Sequence, residues 1–275
     1  RYPAALAAYA EAHERFTQLD EPVTVAGIWH QTGMVYQEAG QPEAAEDAYR
    51  QSLAIKVRLG NVAGQASTLV QLGNLYGDVL GRNEDAVDFY RQAANKYLVT
   101  GDTAGEGRTR SNLASSLRKL RRFDEARQEI RRANECKSQF GHASAPWKAW
   151  AILANIETDA GNPDAAAAAK RKAIASYLDY RRDGGENHDR DGRLALAVTQ
   201  PLLAGDPAQA VALLGQLAAD PAAAALLPFI RALQAIVNGS RDRRLAEAPD
   251  LDHTMPAEIG LLIDALDDAP EQAGR

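Results

Sequence analysis

The sequence predicts an all-α fold: a right-handed superhelical solenoid of antiparallel helix hairpins, closed at its C-terminal end by a degenerate helical cap. Three observations carry that expectation. Six small residues, Ala5, Ala45, Ala86, Ala126, Ala166 and Ala210, recur at spacings of 40, 41, 40, 40 and 44. A fixed period of that size marks one supersecondary unit copied several times. Between these alanines, apolar residues follow the i, i+3, i+4, i+7 rhythm of one helix face. Turns then interrupt the rhythm at corresponding places, as in Gly40-Gln41-Pro42, Gly81-Arg82-Asn83 and Gly161-Asn162-Pro163.

The unit from Val23 to Asn61 sets the pattern. Trp29, Thr32, Gly33 and Tyr36 share one face of a first helix. Gly40 can take the left-handed conformation that ends it, and Pro42 suits the first turn of the next helix. Ala45, Tyr49, Ser52, Ile55 and Leu59 then form the inner side of a second helix, which Gly60-Asn61 terminates. The next unit repeats this with Leu69, Leu72, Gly73 and Tyr76, then Ala86, Tyr90 and Ala93, with one inserted residue expected in the Gly81 turn. A third has Leu113, Ala114 and Leu117 followed by Ala126, Ile130 and Ala133, and a fourth has Trp150, Leu153 and Ala154 followed by Ala166 and Ala173. Upstream, Ala5, Tyr9 and Ala12 match the second helix of a preceding unit. Because the chain opens on Arg1 directly before that helix, it is expected to be a piece of a longer polypeptide.

Residues 1–182 are therefore expected to form a half repeat and four hairpins, 183–192 a polar joint, and 193–275 degenerate helical hairpins that cap the stack. Within the cap, Pro201 should kink or end its helix. Asp220-Pro221 should open a helix running to about Asn238, and after a loop at Pro249, Pro256 a last helix over 257–266. The acidic end is expected to provide the water-facing side that an end unit needs.

Composition narrows the function. Hydrophobic residues at 45% and charged residues at 25% fit a folded soluble chain. Apolar runs such as 222–229 are too short to cross a bilayer, so no membrane partner is expected. The lone Cys136 excludes an internal disulfide framework and points to a reducing, cytoplasmic setting. Residues 183–275 hold seven arginines and fifteen acids with no lysine, and 1–182 hold 24 basic and 22 acidic groups. Neither half offers the broad basic face that nucleic acid requires. His13, His30, His142, His188 and His253 are scattered without metal-ligand spacing, and the stretch His-Asp-Arg-Asp at 188–191 reads as solvated loop charge. No phosphate-binding loop, nucleophile elbow or dinucleotide fingerprint is present. The expectation is a protein with no catalytic residues, no metal and no cofactor.

A ligand would lie along the first helices, which line the inner wall of stacked hairpins. Positions facing the groove fall six and three before, and one and four after, the packing residues Gly33, Gly73, Ala114 and Ala154. This register selects His30, Met34 and Gln37, then Asn74, then Arg108, Ser111, Ser115 and Arg118, then Lys148 and Asn155. Gln31, Gln71 and Asn112, two before the packing residue, join them. Less distinctive positions of the same register are Gly27, Ser67, Val70, Gly77, Ala151 and Thr158. Amides offer donor and acceptor together, which suits the backbone of an extended peptide. Residues 101–142 carry ten basic and six acidic groups, so Arg108 and Arg118 are expected to receive an acidic segment of a protein partner. A second reading is a small molecule such as an oligosaccharide, stacked on Trp29, His30, Trp147 or Trp150, although Trp29 and Trp150 occupy packing positions.

The segments WHQTGMVY…AAEDAYRQS and LVQLGNLY…DAVDFYRQA resemble the tetratricopeptide repeat, in the ~40-residue variant similar to kinesin light chain, Pins-type and bacterial signalling-NTPase-associated arrays. The family period is about 34 residues; longer second helices account for the difference here. In the fourth unit Glu157 and Lys170 replace the two family aromatics. The resemblance implies a non-catalytic module that binds a peptide or helix, as a scaffold or as the sensing arm of a larger bacterial regulator such as a signalling nucleotide hydrolase or a caspase-like protease. It implies sugar sensing for the second reading, as in repeat-bearing transcription activators. Some members clamp a C-terminal carboxylate with five polar residues. Asn74, Asn112 and Lys148 match that pattern, whereas Val70 and Ile152 stand at its other two positions and leave the clamp incomplete. Oligomeric state stays open.

Overall fold

The computed structural model describes residues 2–187, 189–248 and 250–268, so the readings that touch Arg1, His188, Pro249 and the last seven residues lie outside the described part. The described residues form thirteen α-helices and no strand, an all-α helical-repeat solenoid. They divide into two compact units, Arg1–Ala167 and Ala168–Arg275.

In the first unit, α1 (Tyr2–Gln18) precedes three complete hairpins: α2 (Pro22–Glu38) with α3 (Pro42–Arg58), α4 (Val62–Asn74) with α5 (Asn83–Thr100), and α6 (Thr103–Lys119) with α7 (Phe123–Ser138). Helix α8 (Pro146–Asp159) and the start of α9 (Pro163–Arg182) follow. Local chemistry sets the ends. Proline opens α2, α3, α8 and α9, where its missing N–H costs nothing. The side chains of Asn61 and Asp102 accept from the backbone N–H of Gly64 and Gly105 at 2.8 and 2.7 Å, capping α4 and α6. Between the helices of the hairpins, Gly40, Gly81 and Gly161 are left-handed. The same place in the third hairpin is taken by Arg121, whose φ of 59° strains a residue with a Cβ.

Each hairpin closes by a close approach. A Cβ on Gly33 would sit 2.6 Å from the Tyr49 ring, and one on Gly73 would sit 2.5 Å from the Tyr90 ring. The tyrosine lies flat over a residue that can only be glycine. In the third hairpin the equivalent pair is Ala114 and Ile130, both fully buried; a slimmer side chain above leaves room for a methyl below. Tyr49, Tyr90, Ala114 and Ile130 belong to one buried cluster with Leu72, Leu75, Leu113, Leu117 and Ile156 that runs through the hairpins, while Val25, Ala26 and Ile55 form a smaller cluster beside it.

The inserted residue of the second hairpin is not in its turn. Gly81-Arg82-Asn83 has the geometry of Gly40-Gln41-Pro42, with a left-handed glycine and then a residue at ψ near 70°. The extra residue widens the end of α4 into a π-helical turn, Leu75–Val79. A π-turn absorbs one residue without breaking the helix, whereas lengthening the turn would have displaced the buried Ala86 from its partner.

Neighbouring hairpins are also joined by a recurring polar position. Tyr76 donates to the Glu46 carboxylate at 2.7 Å. One period further, Val87 and Leu117 occupy the equivalent places inside the apolar cluster. One period beyond that, Arg127 meets Glu157 through two hydrogen bonds of 2.9 Å. Glu157 therefore replaces an aromatic because Arg127 reaches it from the preceding hairpin.

The second unit begins inside α9 rather than at the polar joint 183–192, which differs from the sequence expectation. The reason is visible in α9: past Ala167, Lys170 donates to the backbone carbonyl of Leu251 at 2.9 Å, and Tyr177 and Arg181 both bond Glu258. Helices α10 (Arg190–Leu203), α11 (Pro207–Ala219), α12 (Leu227–Val237) and α13 (Met255–Asp268) complete it. Its core comprises Leu194, Val198, Leu214, Phe229, Ile230, Leu233, Ile259 and Ile263. Pro201 does not break α10, which runs to Leu203, because it falls in the last turn. Asp220-Pro221 opens a short 3-10 segment, Pro221–Leu226, and α12 follows it. The acidic end is not simply a water-facing surface. Helix α13 buries Ile259, Leu262 and Ile263, and turns Asp264 and Asp267 towards Arg243. Among the described residues no single helix is long and apolar enough to cross a membrane.

Candidate ligand groove

The sequence-selected residues do not behave as one wall. In the first and second hairpins most of their polar atoms are bonded to the protein itself. The Tyr49 hydroxyl donates to Gln37 at 3.0 Å. Asn74 accepts from Tyr90 at 2.8 Å and from Asn112 at 3.3 Å, and donates to Gln71 at 3.2 Å. This amide chain ties the second hairpin to the third. Gln31 is exposed and Met34 half-buried against the apolar cluster.

His30 is part of a buried polar knot. Its Nδ1 lies 3.2 Å from the Thr68 hydroxyl, which also receives the Lys56 ammonium at 2.8 Å. Burial, and then the charge of Lys56, hold the His30 pKa down at about 4, so its ring is neutral near pH 7. Burial alone brings Lys56 down to about 8. Lys56 and Thr68 come from α3 and α4, so the knot joins two hairpins.

The third hairpin differs. A cavity of about 310 Å³ opens between α4, α5, α6, α7 and α8, lined by Arg108, Ser111, Asn112 and Lys148 of the sequence-selected set. Val70 and Ile152 also line it, supplying an apolar side, and Tyr97 and Lys137 come from the second helices. Lys137 is only 7% exposed. Burial first, then the charges of Lys148 and Arg108, hold its ammonium below the ordinary lysine pKa. Among the described residues no carboxylate pairs with Arg108, Lys137 or Lys148. Asp102 spends its carboxylate on the cap of α6. Ser111 and Ser115 donate back to carbonyls of their own helix, at 3.0 and 3.1 Å.

Arg118 stands apart from Arg108: it donates to Asp159 at 2.9 Å. Most other arginines of this hairpin are paired too, Arg110 with Glu106 and Glu129, Arg122 with Glu84 and Glu125, Arg132 with Glu106 and Glu135. Asn155 is exposed on α8 and is not among the cavity residues. Trp147 is buried, which removes it as an open stacking surface, and Trp29 packs against His13 and the Val25–Ile55 cluster.

Sequence reasoning missed Lys137 and Tyr97 because it searched first helices only. A signal was present. Lys56, Tyr97, Lys137 and Tyr177 all stand eleven residues after a packing alanine, a polar-tipped side chain recurring at one register position.

With this geometry, the array is a repeat of paired helices with a cationic cavity at its third hairpin. A family model for soluble NSF attachment protein, SNAP, matches residues 1–135. Among solved structures, BtubC (BKLC) from P. vanneervenii is 18% identical, with a TM-score of 0.61 over 87% of this chain and 93% of that chain. A putative kinesin light chain of Podosopora anserina with nearly identical TPR-like repeats is 16% identical, with a TM-score of 0.53 over 80% of this chain and 99% of that chain. No curated protein matches the chain. The fold is of the tetratricopeptide type, as the repeated segments implied.

Proposed function

We propose that the chain is a non-catalytic protein-interaction module, a scaffold or ligand-sensing arm of a larger cytoplasmic regulator, that binds a peptide with an acidic segment along its first helices. Repeats of this type bind proteins and peptides in general. The observation that carries the reading is the cavity between α4 and α8, where Arg108, Lys137 and Lys148 converge with no acid among them. Elsewhere in this hairpin most arginines have a partner, so three without one in a single recess is a departure that an incoming anion would resolve. Val70 and Ile152 give the same recess an apolar floor for the neighbouring side chain of the peptide.

The test is a peptide array of acidic, neutral and basic sequences, followed by titration of the best binder at several salt concentrations. The double variant Arg108→Glu/Lys148→Glu should weaken an acidic peptide at least tenfold and flatten its salt dependence. Arg118→Gln, which removes a group already paired with Asp159, should change affinity less than twofold. Selection of neutral peptides with unaltered salt dependence in the double variant would overturn the reading.

A further inference from the structure

The two buried lysines of the first unit occupy one register position and differ in one respect. Lys56 finds an acceptor across the hairpin boundary, the Thr68 hydroxyl at 2.8 Å. In the next hairpin boundary but one, the residue at the place of Thr68 is Ala149, fully buried and without a hydroxyl. Lys137 is buried to the same degree as Lys56, at 7% exposure each. No acceptor for its ammonium is present among the described residues, and it lines the cavity that Arg108 and Lys148 also line. The Lys137 stem is buried while its ammonium opens into the cavity, a charge held where little water reaches it and no described protein group accepts from it. The fold keeps it beside two further cations.

The geometry points to a phosphoryl-binding site, in which Lys137, Arg108 and Lys148 receive the phosphate monoester of a phosphorylated peptide side chain; this rests on the peptide-binding reading and names the group that occupies its cavity. Charge and shape separate a phosphoryl group from a carboxylate here. A monoester carries close to two negative charges near pH 7 and three terminal oxygens. Three converging cations match the three oxygens, one each, and two of their three charges are neutralised. A carboxylate brings one charge and two oxygens in a plane, so it leaves at least one cation unmatched. The Asn112 amide, which gives one hydrogen to Asn74, keeps a second for the cavity, and Val70 and Ile152 supply its apolar lining for the carbon atoms that carry the ester.

The full chain is titrated by calorimetry with phenyl phosphate, inorganic phosphate and benzoate, and its melting temperature is read with each. Phenyl phosphate should bind saturably and at least tenfold more tightly than benzoate, and should raise the melting temperature. Lys137→Met should melt no lower than the parent when unliganded, because it removes a buried charge, yet lose at least tenfold in phenyl phosphate affinity. Lys56→Met, which removes the register-equivalent lysine with no place in the cavity, should bind as the parent does. Equal affinity for benzoate and phenyl phosphate would overturn the phosphoryl assignment while leaving the acidic-peptide reading intact. So would binding that survives Lys137→Met. Failure of all three probes would exclude an anion site in the cavity, and the peptide array would then judge the groove separately.

Discussion

At Gly33 and Gly73 a single hydrogen in place of a methyl decides how closely two helices meet. The Tyr90 ring lies where a Cβ of residue 73 would project, at 2.5 Å, so Gly73→Ala should destabilise the chain by roughly 1–3 kcal/mol in urea unfolding. The third hairpin shows the remedy in its own sequence, since Ala114 sits under the slimmer Ile130. Adding Tyr90→Ile to Gly73→Ala should therefore cost less than the sum of the two changes, a coupling that a double-mutant cycle measures. The buried knot of His30, Lys56 and Thr68 makes a second prediction. Lys56 titrates at about 8 in the folded chain and near 10.5 when unfolded. Between those values the unfolded chain holds more protons, so stability should rise with pH from about 8 to 10.5; Lys56→Met should reduce that rise, with Lys137, also held low, supplying the remainder. His30, at about 4 against 6.5, acts in the same sense lower down: stability falls as pH drops through that window.

Helix ends and helix pairs set the next level. The turn of the third hairpin uses Arg121 at φ 59°, where the first, second and fourth use glycine. Arg121→Gly should stabilise the chain by about 1 kcal/mol, offset in part by greater freedom of the unfolded chain, and the same urea midpoint would show it. Across the boundary between α7 and α8, Arg127 holds Glu157 by two hydrogen bonds, with burial opposing them, and the carboxyl stays below its ordinary pKa. Glu157→Gln should cost roughly 1–2 kcal/mol, because one charge-assisted hydrogen bond is lost while Arg127 keeps Asp124 at 2.7 Å. Lowered pH should act the same way: the contribution is present above the unfolded glutamate pKa and disappears as pH falls through the folded one. The mutant should show a shallower acid transition than the parent.

Among the described residues, stability is shared between a core in the second unit and two buried clusters in the first. Leu233 is fully buried in the second unit, so Leu233→Ala should cost about 2–5 kcal/mol there. Amide exchange in α4–α7 should keep its protection, since each repeat leans on its neighbours and a loss fades with distance along the stack. Protection lost equally in both units would show a single cooperative core instead. Helix α13 belongs to the core of the second unit through Ile259 and Ile263. Cutting the chain after Asn238 would therefore remove part of a fold, not a loose acidic tail.

The period of its alanines, the helical rhythm between them and the glycine turns were enough to determine the all-α repeat fold and the place of the turns at Gly40, Gly60, Gly81 and Gly161. Those signals are local, and a repeated local signal reinforces itself. The first helices also pointed to Arg108, Ser111, Asn112 and Lys148, which line one cavity, because their register follows from the packing alanines Ala114 and Ala154. Three things needed the tertiary structure. The π-turn at Leu75–Val79 depends on where Ala86 must pack, which no single helix encodes. The division inside α9 depends on bonds to Leu251 and Glu258, distant in sequence. The difference between a solvated cation and an unmatched one was decided by partners from other hairpins: Asp159 takes Arg118, Thr68 takes Lys56, and Ala149 leaves Lys137 facing the cavity. A charge is written in the sequence, but its compensation is a matter of proximity, and proximity between hairpins exists only once the chain has folded.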